Sequence, residues 1–168
     1  MRKILILLLL LIMSSCSKAD DTNIRIAKAR AIVLQKKFYP YLNKKQLICV
    51  VKASVRHKVP NYILATILHK ESSGGRNINP RYEAHLNTSS VGMFQVLKTT
   101  GKWMGYDPNT LHEVCNNADA AAKYLRMNYN KYKTWDMAVK RYNGRGPMAR
   151  KYLRDAQRFS KKTFNKSI

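Results

Sequence analysis

Acidic residues are scarce in this chain. Nine Asp and Glu stand against 32 Lys and Arg in 168 residues, for a formal net charge of +23. A site built from several carboxylates therefore has few candidates. Long hydrophobic runs are also missing: no stretch reaches 18 apolar residues, so no transmembrane helix is expected. The four histidines, His57, His69, His85 and His112, are too dispersed to suggest a zinc site. No glycine-rich phosphate loop is present, so neither a metal nor another cofactor is expected. No internal repeat and no convincing alternating strand pattern occurs.

Hydrophobic residues make up 45 % of the chain, which argues against disorder. The start, MRKILILLLLLIMSSCSK, has the parts of an export signal. Arg2 and Lys3 form a basic region, and Ile4 to Ile12 an apolar run too short to span a bilayer. The small residues before Cys16 resemble a bacterial lipobox, although Met13 stands where leucine is usual. A lipidated Cys16 is expected, with ordinary cleavage or an uncleaved buried helix as alternatives. What remains, about 150 residues, suits one compact domain.

Export bears on two other features. Cys49 and Cys115 would meet an oxidising compartment, where they would form a disulfide or remain two separate buried thiols. The positive charge suits a polyanionic partner. For an exported chain that partner is cell wall or anionic lipid and not nucleic acid; a merely solvated basic surface is the plainer reading.

Apolar spacing predicts helices over residues 23–38, 44–58 and 61–72, the last ended by Ser73-Gly74-Gly75. Residues 76–90 read as a polar loop, 91–101 as one or two helical turns, and 105–109 as a turn. Further helices are expected over 118–132, from Trp135 to a stop at Asn143-Gly144, and onward from Pro147. The fold class is all-α.

One carboxylate stands apart. Ile63, Leu64, Ile67 and Leu68 form an apolar arc, and Glu71 falls near its middle, one turn further on. Burial there, together with the negative end of the helix, would raise its pKa. Such an acid can donate a proton to a glycosidic oxygen. The competing reading pairs Glu71 with Lys70 or Arg76 at the surface.

HKESSGGRNINP, then SSVGMFQV, then AVKRYNGRGP and a later ARKYL resemble the ordered motifs of lytic transglycosylases with the goose-lysozyme-like catalytic domain. The resemblance implies a lysozyme-like helical domain with a substrate cleft. It implies that Glu71 is the acid/base, oriented by Ser72. Gln95 would contact sugar, with Met93 and Phe94 completing the second motif and Phe94 lining the cleft. Tyr142 would hydrogen-bond the catalytic carboxyl, Asn143 would face substrate, and Tyr152 would match the family's last tyrosine. Arg141 departs from the pattern, where alanine is common.

The implied reaction cleaves the MurNAc–GlcNAc bond of peptidoglycan. Glu71 protonates the linking oxygen, the substrate's 2-acetamido group stabilises the cation, and Glu71 then accepts the C6 hydroxyl proton as a 1,6-anhydro ring closes. The alternatives are a muramidase on the same fold, using Glu83 or Asp107 as second carboxylate, and a non-catalytic basic lipoprotein. The cysteine pair further resembles that of small transglycosylases accompanying conjugation and secretion systems. The expected organisation is a signal peptide over residues 1–15, a lipid tether and helical extension over 16–43, a catalytic domain over 44–160 and a basic tail over 161–168. The expected location is the periplasmic face of the envelope, lipid-anchored, with Ser17 favouring the outer membrane over the inner.

Overall fold

A computed structural model describes residues 38–168. The expected signal segment, the lipid-bearing Cys16 and all but the last residue of the helix over 23–38 lie outside the described residues.

Six α-helices carry the described part: α1 Lys44–Arg56, α2 Asn61–Ser72, α3 Lys98–Trp103, α4 Val114–Tyr132, α5 Trp135–Asn143 and α6 Gly146–Phe164. The class is helical, as expected. Between α2 and α3, however, a small antiparallel sheet replaces the expected loop and the first part of the expected helical turns, which begin only at Lys98, in α3. Its strands are β1 Arg81–Glu83, β2 Thr88–Val91 and β3 Val96–Leu97, in the order β1-β2-β3. Arg81 pairs with Ser90, and Val91 with Val96. Strands this short leave no room for a readable alternation. The segment 91–97 turns back because Gly92 and Gln95 both take positive φ, 73° and 47°. A helix admits neither conformation.

The boundaries follow local chemistry. Asn43 caps α1 by accepting from the Gln46 amide at 2.9 Å, while the Gln46 side chain accepts from the Asn43 amide at 3.0 Å, a reciprocal capping box. The α2 helix ends where Ser73 enters the left-handed region. Gly75 follows at φ +90°, and a Cβ there would lie 2.9 Å from the Leu42 side chain. At the C-terminus α6 runs through Phe164, past residue 160, and Phe164 and Ile168 pack on the core.

The central element is α2, whose residues Ile63 to Leu68 are buried consecutively. A helix covered on all sides lies inside the bundle. The α4 helix packs on α1 and α5, and α6 on α5 and α2. Cys49 and Cys115 form a disulfide joining α1 to α4 across a sequence separation of 66. In the chain-entropy model such a closure contributes about 4 kcal/mol. Beside it, Asp119 on α4 accepts from Tyr106 Oη at 2.6 Å and from Arg56 at 2.9 Å, and lies 3.0 Å from His57 Nε2.

A buried amide anchors the sheet to α4. Asn117 on α4 donates from Nδ2 to the carbonyls of Val91 at 2.8 Å and Leu111 at 3.0 Å, and its Oδ1 accepts from Phe94 N at 2.8 Å. A Cβ on Gly92 would lie 2.5 Å from this amide, so the turn fits only glycine. Replacing Asn117 by alanine strands three buried backbone groups at about 1–3 kcal/mol each before relaxation. Urea unfolding of Asn117→Ala is expected to show a loss of about 4 kcal/mol. A loss below about 1 kcal/mol would show that the amide does not anchor the sheet.

Candidate active site

The last turn of α2 aims Glu71 inward, and its side chain is 8 % exposed. The neighbours proposed as surface partners turn elsewhere. Lys70 lies 3.6 Å from Asp155, and the Arg76 guanidinium sits over the Tyr41 ring at 4.3 Å. The carboxyl is held by two groups from other elements. Tyr152 on α6 donates its hydroxyl to Oε1 at 2.6 Å, and Arg81 on β1 donates from Nη2 to Oε2 at 3.3 Å.

Burial pushes the Glu71 pKa up. The Tyr152 hydrogen bond and the charges of Arg81 and Lys70 pull it down, while Glu83 adds a smaller upward push; the net direction is upward. Arg81 is more than half exposed, so water screens its pull.

Arg81 links the carboxyl to Gln95. Its Nε donates to Gln95 Oε1 at 3.0 Å, and the same oxygen accepts from Ser90 Oγ at 3.0 Å. Gln95 Nε2 donates to the carbonyls of Gly92 at 2.8 Å and Asn79 at 3.2 Å. Gln95 and Tyr142 line a cleft of about 620 Å³, together with Glu83 and Asn143. Leu86 and the exposed Met148 add apolar surface to it. Glu71 and Tyr152 do not themselves line this cleft. Glu71 adjoins it through Arg81 and Gln95, and through the charge of Glu83.

Several expected roles are redistributed. The hydroxyl on the carboxyl belongs to Tyr152, whereas Tyr142 donates to the Phe94 carbonyl at 2.8 Å and packs on Tyr124. Phe94 does not line the cleft: it is fully buried, and Met93 is nearly so, because the tight turn points both into the core. The Ser72 hydroxyl is not turned to the Glu71 carboxyl. Its Oγ donates to the Leu68 carbonyl at 3.1 Å and accepts from Gly75 N at 2.9 Å, closing the end of α2. Gln95 has its whole amide engaged within the protein and presents one face to the cleft. Of the two further carboxylates considered, Glu83 lines the cleft, while Asp107 accepts from Asn109 N in the turn after α3. Sequence reading missed Arg81, whose importance comes from strand pairing that no local pattern signals.

A helical domain with a buried carboxyl beside an open groove is the arrangement of a lysozyme-like glycosidase. The family model described as transglycosylase SLT domain matches residues 48–165, and the chain belongs to that family. Membership implies an enzyme that cleaves glycosidic bonds, acting on peptidoglycan outside the cytoplasm. Comparison with curated proteins and with solved structures gave no match.

The raised Glu71 pKa has a consequence for stability. In the unfolded chain Glu71 ionises in the ordinary carboxylate range; in the fold it holds its proton to higher pH. Wild-type stability therefore falls as pH climbs from that range through the raised folded value. Glu71→Gln escapes this loss. Melting curves are expected to show the variant gaining on the wild type across that window, with a constant difference below about pH 4. A difference independent of pH throughout would contradict the burial argument.

Proposed function

We propose that this protein is a peptidoglycan lytic transglycosylase that cleaves the MurNAc–GlcNAc β-1,4 bond and leaves a 1,6-anhydro end. The observation that carries this reading is the buried Glu71 carboxyl, held by Tyr152 and linked through Arg81 and Gln95 to a groove, with burial raising its pKa. Glu71 donates its proton to the bridging oxygen. The electron pair of the breaking C1–O bond leaves with the GlcNAc oxygen, and the 2-acetamido oxygen shares the charge at C1. Ionised Glu71 then takes the C6 hydroxyl proton as that oxygen bonds to C1. The residue ends as it began, so no water and no second carboxylate are consumed.

Both protonation states must be tolerated during this cycle. Burial supports the acid, while Tyr152 and Arg81 support the carboxylate. Gln95 and Asn143 face the sugars, Tyr142 shapes the cleft wall, and Met93, Phe94 and Ser72 act by fixing the turn and the helix end. Export, a lipid on Cys16, residence at the outer membrane and service to an envelope-spanning assembly belong to the same proposal.

Glu83 favours a second reading. A carboxylate in the cleft supplies what a hydrolase needs to activate water. Mass spectrometry of digested sacculi separates the two, because the anhydro product is lighter than the reducing product by one water. The expected product is the anhydro muropeptide, and Glu71→Gln is expected to lose about a thousandfold in rate. Reducing ends, lost on Glu83→Gln, would establish the muramidase. Full activity in Glu71→Gln would remove both readings.

The tyrosine assignment is tested separately. The Tyr152 hydroxyl pulls the Glu71 pKa down, so Tyr152→Phe lets it climb. The alkaline limb of the pH–rate profile, where the acid form is lost, is expected to move to higher pH. Tyr142→Phe should move it less, since that hydroxyl bonds the Phe94 carbonyl. Equal shifts in both variants would return the role to Tyr142.

A further inference from the structure

The cleft does not end at Tyr142. A second hollow of about 370 Å³ continues from it, and the two share Tyr124, Arg141 and Arg145 in their walls. Lys131 and Tyr132 also line this hollow, and Trp103, 68 % exposed, lines it too. Three of its lining residues are cationic and none is acidic.

These cations lack partners of opposite charge. Among the described residues neither Arg141, Arg145 nor Lys131 forms an ion pair, although Lys70, Lys151 and Arg158 all gather around Asp155. Arg141 and Lys131 share one aromatic ring: the guanidinium lies 5.0 Å and the ammonium 5.5 Å from the centre of Tyr132. That ring holds both heads near the wall of the hollow, which all three residues line. Arg141 Nε is buried and has no hydrogen-bond partner among the described residues. A buried donor left unmet costs about 1–3 kcal/mol, and two cations on one ring repel each other. An anion bound in the hollow would relieve that repulsion.

The glycan backbone is neutral and would not meet this charge. The peptide stem on each muramyl residue carries carboxylates, and a planar guanidinium suits a carboxylate well. We propose that the hollow lined by Arg141, Arg145 and Lys131 binds a carboxylate of the peptide stem carried by a sugar seated in the cleft. This assignment rests on the peptidoglycan reading above. It makes Arg141 a residue that selects strands bearing stems. Trp103 offers an apolar face to the stem's side chains.

The test compares glycan strands with intact stems against the same strands stripped by an amidase, using the full chain. Wild type is expected to cleave stem-bearing strands faster. In Arg141→Ala, and in Lys131→Ala and Arg145→Ala, whose side chains are exposed enough to spare the fold, the ratio of stem-bearing to bare turnover is expected to fall about tenfold. Calorimetry in the Glu71→Gln background supplies a readout independent of turnover. A free stem tetrapeptide should bind at least about tenfold more tightly than its carboxyl-amidated form, and Lys131→Ala with Arg145→Ala should erase the difference. Cleavage of both strand types at one rate, with no preference for the free carboxylate, would overturn the stem site and leave the glycosidase standing. Stem binding without cleavage of either strand would overturn the glycosidase and leave the stem site.

Discussion

The hydrogen bond from Tyr152 to Glu71, 2.6 Å long, spans 81 residues of sequence and ties the central helix to the last one. Much of the architecture serves to keep that contact dry without sealing it. The α2 helix must be enclosed so that its final turn lies away from water, and α6 must return across it to supply the hydroxyl. Burial alone would leave an acid that is slow to give up its proton. The tyrosine hydroxyl and the half-screened Arg81 supply the opposing pull. The carboxyl is thus poised between two states because its low-dielectric surroundings and its two donors act in opposite directions.

The small sheet completes the balance. It brings Arg81 and Glu83, which follow Glu71 by ten and twelve positions, back beside the helix they left. Asn117 fixes the turn that joins β2 to β3, and through it the position of Gln95. Gln95 in turn occupies left-handed backbone at φ 47°, a conformation that costs a non-glycine residue about 1–2 kcal/mol. Its amide makes two donations and accepts two more, and these bonds hold it there. A residue so fully engaged forms a fixed part of the cleft wall and steadies Arg81.

The longer helices were legible because their apolar residues recur at the helical period over several turns. Glu71 was legible for the same reason, since the arc of Ile63, Leu64, Ile67 and Leu68 continues into it. The sheet was not, because strands of two to four residues carry no period, and the segment around Phe94 is apolar enough to pass for a helical turn. Partner identities were hidden for a different reason. Tyr142 and Tyr152 both come from the helices that close the bundle, and a resemblance places each near the site without saying which hydroxyl reaches the carboxyl. That depends on the rotation of α5 and α6 about their axes, which is set by packing. Similarly, Phe94 and Gln95 are adjacent, and only the geometry of the turn decides that one faces the core and the other the groove.

The scarcity of acidic residues acquires a physical sense from this arrangement. In a chain with a formal charge of +23, the prevailing field favours ionised carboxylates. Asp119 illustrates this. Burial works against its charge, yet the hydrogen bonds from Tyr106 and His57 and the charges of His57 and Arg56 outweigh burial and hold it low. Glu71 goes the other way in the same field. It does so because its side chain is nearly closed off and because its nearest cation, Arg81, faces water, where the attraction is weakened. A lysine or arginine buried against Glu71 would have reversed the sign and left a permanent carboxylate. A strongly basic protein can therefore hold one carboxyl's pKa above the ordinary range by controlling which of its many cations come close, and how wet they remain.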